Sequence, residues 1–445
     1  MPDASAAPRR YAVVGAGARA EMFVRAIVSD HAATAALVGF ADVNQARMDA
    51  HNTWLAELGA AAVPTYQAAD FATMLAKEAV DAVVVTTVDR VHDEYIVAAL
   101  DAGCDVITEK PMTVDAARCR RILDAVDRTG RTVTVAFNYR YNPLHAAVRQ
   151  VLADGEIGEV GSVHFEWLLD VRHGADYFRR WHREKANSGG LMVHKASHHF
   201  DLVNWWLGAS PVEVFAYGRL FFYGEQGRRH GYARDYPRAH GAAAAADDPF
   251  ALHLAANPRL RALYLDAEAA DGYHRDQNVF APGVTIEDDM AVLTRYSTGA
   301  TMTYHLTAYA PWEGYRVMFN GSRGRLELAV VENNFVSPHA AGEVKGASLH
   351  GDQAAAEEGS ATLTVRPFWA LPREVPVAGH TRMGHGGADA LMTAQLFGSA
   401  AGQPTDALGR GATAHDGALA LLTGLAANRS FETGQPVRVE ELIQL

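Results

Sequence analysis

The 445-residue chain reads as a parallel α/β domain followed by an α+β domain with a large, mainly antiparallel sheet. Three observations predict this. Short apolar runs alternate with helical patterns through the first third, and a glycine turn, Gly15-Ala16-Gly17, directly follows the first of them. Beyond about residue 150 the runs lengthen, partly alternate and become rich in valine, threonine and aromatics. Alternating strand and helix signals favour a parallel sheet wrapped by helices, whereas successive strand signals favour antiparallel pairing. The division expected is a disordered lead-in over 1–8, a first domain over 9–137 and a second over 138–445, with an insertion near 224–283.

Taken in order, Tyr11 to Val14, Ala36 to Ala41, Val80 to Thr86, Asp105 to Thr108 and Thr132 to Phe137 read as strands. Between them, Arg19 to Val28, Gln45 to Leu58, His92 to Ala102 and Val114 to Arg128 read as helices. In the second domain, Gly161 to Val171, Val212 to Phe222, Met290 to Tyr309, Tyr315 to Val331 and Ala361 to Phe368 carry strand patterns. Ser297-Thr298-Gly299 and Gly321-Ser322-Arg323-Gly324 supply hairpin turns. A helix is expected from Leu191, capped by Asn187 or Ser188 and stopped by Gly208 before Pro211. At about 100° per residue it would put His194, His198, Asp201 and Trp205 on one stripe, with Ala196, Phe200, Val203 and Leu207 opposite. Asp389 to Ser399 and Asp416 to Ala427 read as closing helices, before a short Val437-Arg438-Val439 strand. The stretch 224–283 is the least regular, and a loop of that length is either functional or a solvated insertion.

Composition narrows the class. A 49% hydrophobic content over this length can bury more than one core, and a net charge of −12 offers no basic field for nucleic acid. Cys104 and Cys119, the only cysteines, give no disulfide framework, which suits a reducing cytoplasm. No run approaches the ~18 apolar residues of a membrane span.

The first glycine turn carries chemistry. After the strand, Gly15 permits the tight turn, Gly17 lets the backbone approach a pyrophosphate, and Ala20 stands where a third glycine often packs a helix: G-x-G-x-x-A, the pattern of a dinucleotide-binding Rossmann domain. Asp42, at the end of the second strand, is placed to accept bonds from the adenosine ribose hydroxyls and to repel a 2′-phosphate, favouring NAD over NADP. Arg47 nearby could accommodate that phosphate or be a solvated helix residue. Three later strands drop polar residues on the same edge: Thr86-Thr87, Glu109-Lys110-Pro111 and Asn138-Tyr139-Arg140-Tyr141. Candidate cofactor contacts are therefore Gly15, Gly17, Ala18, Arg19, Asp42, Thr86, Thr87, Glu109 and Lys110.

The glycine turn, Asp42-x-Asn44, Glu109-Lys110-Pro111, Gly189-Gly190 opening a His-x-x-x-His helix, and Arg429-Ser430-x-x-Thr433-Gly434 together resemble the Gfo/Idh/MocA oxidoreductases over residues 10–440. The resemblance implies a second domain whose open sheet packs over the nicotinamide and whose outer face often joins copies into a homo-oligomer. It implies hydride transfer on a hydroxyl or carbonyl of a sugar, glycoside or cyclitol, with His198 at the catalytic-helix position. Many members carry an aspartate four residues before that histidine; here it is His194, followed by Lys195, so the usual carboxylate-assisted scheme does not transfer.

Removing hydride from a secondary alcohol requires a base for the hydroxyl proton. Neutral His198 is the expected base, with Lys110 holding the oxygen; a lysine whose pKa is lowered by burial could take the base role instead. His194 could bind a sugar hydroxyl or share the proton relay, and Asp201 could orient the imidazole or merely anchor the helix. Tyr139, Arg140, Arg172, Tyr177, Trp181 and Arg275 complete the candidate substrate contacts, with His173 and His182 in the same loop. His194, His198 and His199 lack the companion ligand of a metal site, and none is expected. Two other readings stay open. One is a glycosidase that uses bound NAD for transient C3 oxidation and elimination; the other is a cofactor-binding regulator without turnover.

Overall fold

A computed structural model describes residues 7–336, 359–377, 387–398 and 406–445. The expected lead-in lies outside them except for residues 7 and 8, as does Ser399. The first domain holds β1 (Arg9–Val14), α1 (Ala20–Arg25), β2 (Ala35–Asp42), α2 (Gln45–Glu57), β3 (Thr65–Gln67), α3 (Phe71–Lys77), β4 (Ala82–Val85), α4 (His92–Asp101), β5 (Asp105–Thr108), α5 (Ala116–Thr129) and β6 (Val133–Val135). Its six strands run parallel in the order β3-β2-β1-β4-β5-β6. The chain winds outward from β1 through β2 to β3, then crosses back to β4. That reversal opens a crevice at the carboxyl ends of β1 and β4, where open α/β sheets bind ligands. Every residue of β4 is buried, which is why it reads as an unbroken apolar run. The sequence pattern did not anticipate β3 and α3, because Thr65–Gln67 is short and polar and sits at the sheet edge.

The second domain begins with α6 (Pro143–Ala153), β7 (Val160–Asp170), α7 (Val171–Phe178), α8 (Lys185–Ser188), α9 (Leu191–His194), α10 (Ser197–Leu207) and β8 (Pro211–Arg219). The insertion contributes only short turns, α11 (Pro258–Leu260), a π-turn over Arg261–Leu265 and α12 (Glu268–Asp271). There follow β9 (Asp289–Tyr296), β10 (Thr301–Ala310), β11 (Glu313–Gly321), β12 (Gly324–Asn333), β13 (Ser360–Pro367), β14 (Arg373–Glu374), α13 (Ala388–Phe397), α14 (Ala414–Thr433) and β15 (Val437–Arg438). The stretches Met290 to Tyr309 and Tyr315 to Val331 fold as the hairpins β9–β10 and β11–β12, which turn at the expected positions, Ser297-Thr298-Gly299 and Gly321-Ser322-Arg323-Gly324.

These strands form a nine-stranded sheet in the order β14-β13-β12-β11-β7-β10-β9-β8-β15. Only β7 and β10 pair in parallel; the other neighbours are antiparallel. Along β10, Met302, Tyr304, Leu306 and Ala308 are buried while Thr301 and Thr303 are exposed, the period-two pattern of a sheet covered on one face. Helices cover that face closely. A Cβ at Gly174 of α7 would come within 1.7 Å of the Ala308 carbonyl oxygen on β10, and one at Gly424 of α14 within 2.4 Å of the Met192 carbonyl oxygen in α9.

The helix expected from Leu191 is two helices. Gly190, at φ 76°, precedes α9, which closes after His194; Lys195 and Ala196 intervene and α10 restarts at Ser197. Asn187 and Ser188 belong to α8 instead of capping, although Ser188 Oγ accepts from the Gly190 N–H at 3.1 Å. The interruption breaks the stripe, so His194 and His198 need not share a face. Gly208, at φ 59°, does end α10, and Pro211 opens β8. The segment holding Arg172, His173 and Tyr177 is helical, because the Asp170 carboxylate accepts from the Arg172 and His173 N–H groups and caps α7.

Candidate active site

The nucleotide end is built by the two central strands. Gly15 leaves β1 at φ +93°, and a Cβ there would lie 2.6 Å from the Thr86 carbonyl carbon, so only glycine fits against β4. Thr86 locks this approach by donating from Oγ1 to the Gly15 carbonyl at 2.6 Å. Among the described residues, a Cβ at Gly17 would meet only the Tyr264 hydroxyl within 4 Å, at 3.7 Å, so the backbone here has room for a ligand on that side. Asp42 is buried and accepts from the Ala16 N–H at 2.6 Å and the Asn44 N–H at 2.7 Å. Burial is the largest influence on its carboxyl and pushes its pKa up. These residues fit a dinucleotide: a glycine turn without side chains, a carboxylate at the end of β2, and backbone polar groups over the crevice.

Arg47 does not face solvent. Its Nε donates to the Leu263 carbonyl at 3.0 Å and its guanidinium pairs with Asp271 at 2.7 Å, both in the insertion. Arg19 pairs with Glu109, which also accepts from the Lys110 N–H at 3.1 Å. Thr87 is partly exposed just past β4. Glu109 is thus held by Arg19, and the Lys110 side chain turns toward the second domain.

There Lys110 meets His194. Its Nζ lies 3.2 Å from the His194 carbonyl oxygen, to which it donates, and 3.5 Å from Nε2 of the same residue. On the far side of the ring, Nδ1 lies 2.5 Å from Oδ2 of Asp89, at the start of the turn after β4. Burial brings the Lys110 pKa down to about 8, against the opposing charges of Glu109 and Asp89. It also drives the His194 pKa well below its usual range, with Lys110 and Arg180 adding to the shift. Burial raises the Asp89 carboxyl, which Lys110 opposes. An imidazole that resists protonation thus bridges a carboxyl group and a lysine poised near neutrality.

The imidazole against Lys110 is that of His194, while His198 stacks on Tyr139 with ring centroids 4.3 Å apart and meets the edge of Phe137. The cause is the break between α9 and α10. Arg140, expected to contact substrate, binds both Asp201 oxygens through its guanidinium, at 2.8 and 2.6 Å, and reaches Asp416 at 3.1 Å. Asp201 thus anchors α10 to Arg140.

Around His194 stands an aromatic wall. His182 stacks on Trp181 at 3.6 Å and meets His194 edge-on at 4.1 Å, with Tyr177 at 5.7 Å from His194. His173 joins Tyr177 to Glu313, through contacts of 3.4 and 2.8 Å. Lys195 is buried, donates to the Tyr139 hydroxyl at 3.1 Å and lies 4.8 Å from the centre of the Trp167 ring. Arg172 lies partly buried at the start of α7, its N–H held by Asp170. Arg275 is buried and binds Asp176 of α7 at 2.8 Å. Asp89 and Glu313 were not singled out in the sequence, and Lys195 was noted only as the residue after His194. For Asp89 a signal existed, because it lies two residues past Thr87 on an already informative strand end; Lys195 and Glu313 offered none, being placed by a helix break and a distant strand. Among the described residues, no three His, Cys, Asp or Glu side chains gather as a metal-binding group, and no helix is long and apolar enough to cross a membrane.

Comparison with known proteins agrees with this architecture. Residues 9–137 match the family model described as the NAD-binding Rossmann fold of an oxidoreductase family, and residues 149–439 match that family's C-terminal alpha/beta domain. The Bacillus subtilis protein YteT is 35% identical over 95% of this chain and 96% of its own length. Inositol 2-dehydrogenase of Rhizobium meliloti is 32% identical over 46% of this chain and 57% of its own. The crystal structure of the WlbA dehydrogenase from Bordetella pertussis, in complex with NADH and UDP-GlcNAcA, superposes with a TM-score of 0.60 at 18% identity, covering 97% of this chain and 98% of that one, and so shares its fold. With both halves matched, the chain belongs to the Gfo/Idh/MocA family of oxidoreductases and carries that family's NAD(P)-binding Rossmann domain.

Proposed function

We propose that the protein is an NAD-dependent dehydrogenase acting on a hydroxyl or carbonyl group of a sugar, glycoside or cyclitol. The observation that carries this reading is the Asp89–His194–Lys110 chain at the carboxyl edge of the Rossmann sheet. When bound, the nicotinamide accepts or returns a hydride. Lys110 holds the substrate oxygen and, as a neutral amine, takes its proton. With a proton on Nδ1 of His194, that group donates to Asp89 and Nε2 accepts from Lys110. With the proton on Asp89, the carboxylic acid donates to Nδ1 and Nε2–H donates to Lys110. The chain can thus pass a proton in either direction, as a reversible oxidation requires.

Tyr139, Arg172, Tyr177, Trp181, His182 and His198 supply stacking faces and hydrogen-bonding groups of the kind a polyol takes. The names of the relatives point the same way, one to inositol and one to a nucleotide-linked sugar acid. NAD is favoured over NADP because Asp42 places a carboxylate at the end of β2 while Arg47 is neutralised by Asp271. We also propose a homo-oligomer formed through the face of the large sheet that no described helix covers. Incubating the protein with a panel of sugars, cyclitols and glycosides, while following NADH absorbance and released aglycone, tests the assignment. NADH formed from a polyol supports it. Aglycone released without net NADH would move it to the transient-oxidation glycosidase, and no reaction with any member would remove it.

A further inference from the structure

The insertion lies across the nucleotide crevice. Tyr264 of its π-turn accepts from the Ala18 N–H through its hydroxyl, at 3.0 Å, beside the one backbone face that Gly17 leaves open. Leu263 is fully buried against Ala18 and Trp54. Arg259 stands 4.1 Å over the Trp54 ring and pairs with Glu57 at 3.0 Å. The Asn44 side chain donates to the Ala267 carbonyl at 2.9 Å, and Arg47 is tied to Leu263 and Asp271. The insertion has therefore taken up residues of α2 and of the turn before it, beside the position expected for the adenosine ribose.

A second observation points to an anion. Arg275 is 3% exposed, its guanidinium centre lies 5.7 Å from the centre of the Tyr264 ring, and its Nη1 finds no hydrogen-bond partner among the described residues. One buried guanidinium nitrogen left without an acceptor is costly unless a ligand supplies one.

We propose that residues 258–275 form a clasp that closes over the dinucleotide diphosphate, with Tyr264 and Arg275 as its contacts. This rests on the NAD-binding reading of the site. A phenol hydroxyl both donates and accepts. Without nucleotide it accepts from Ala18; with nucleotide, a phosphate oxygen takes over the Ala18 N–H and the hydroxyl donates to the phosphate. Leu263 and the Arg47–Asp271 pair latch the clasp to α2, so the nucleotide enters and leaves only when that latch opens. Arg275, whose other contact is Asp176 on α7, is assigned by this to the cofactor and not to the substrate.

The test uses the full-length protein loaded with NADH and chased with excess ADP-ribose in a stopped-flow fluorimeter. Tyr264→Phe removes the hydroxyl and keeps the ring. Asp271→Asn weakens the latch without touching the diphosphate contacts. Each is expected to raise the NADH dissociation rate about ten-fold, the effect of one hydrogen bond to a charged partner, and Asp271→Asn is expected to speed association as well. Wild-type dissociation rates in both variants, with NADH still bound, would overturn the clasp alone. Failure of the wild-type protein to bind either NADH or NADPH would overturn the nucleotide reading and the clasp together.

Discussion

At the scale of single residues, the proposed chemistry rests on a lysine whose proton is easily lost and an imidazole that does not readily gain one. Lys110→Ala is expected to lower kcat by at least about a hundred-fold, in the range for loss of a positioned acid–base group, while the NADH dissociation constant changes little. Near-normal turnover would remove Lys110 from the mechanism. His194→Gln is expected to approach the Lys110→Ala defect and His198→Gln to fall well short of it, because His194 bridges Lys110 to Asp89. The reverse order would favour His198 as the base in place of Lys110. The pH dependence has a definite sign. The proposed base for alcohol oxidation is neutral Lys110, so kcat/KM should rise as pH passes about 8. The Asp89 charge holds that pKa up, so Asp89→Asn should move the rising limb to lower pH. A limb that stays in place or moves upward would contradict the coupling. Residue types at strand ends made Lys110, Gly15 and Asp42 legible in the sequence, because their positions follow from local turn and strand geometry. The pairing with His194 was not legible, because it joins residues 84 positions apart across two domains.

At the scale of elements, the deciding feature is the break between α9 and α10. A continuous helix would have carried His194 and His198 on one stripe, and residue periodicity alone predicted that. The sequence shows no proline or glycine between His194 and Ser197, so the break comes from tertiary packing. Gly424 of α14 lets the backbone of Met192 come so near that even a methyl group would not fit between them, while Asp201 pins α10 to Arg140. Local pattern cannot register either contact. Asp201→Ala would leave Arg140 buried beside a single remaining carboxylate, Asp416, and is expected to cost about 3 kcal/mol in chemical denaturation, as breaking a buried ion pair does. A change below about 0.5 kcal/mol, the ordinary range for an uninvolved surface residue, would show that α10 is held mainly by its apolar face.

At the scale of the whole molecule, the sequence pattern separated two sheets because their periodicities differ: unbroken apolar runs for parallel strands buried on both faces, alternation for strands covered on one. It left the insertion unassigned, since 224–283 has no period to read and its meaning lies in what it packs against. Alternation also leaves one face of the nine-stranded sheet without a cover among the described residues. On that face Tyr217 is 66% exposed and Leu293 48%, beside the partly exposed Phe215. Apolar side chains grouped on an open sheet face are more costly to leave in water than the Thr301 and Thr303 pattern nearby, and a second copy of the same face would remove them from it. The 48.0 kDa chain is therefore expected to elute in light-scattering chromatography at twice that mass or a higher multiple. Tyr217→Asp combined with Leu293→Asp, both on the outer face and remote from Lys110, should shift the mass toward the single chain while leaving NADH binding intact. A wild-type monomer, or an oligomer that ignores both aspartates, would assign association to another surface and leave this face as an ordinary solvated side of the sheet.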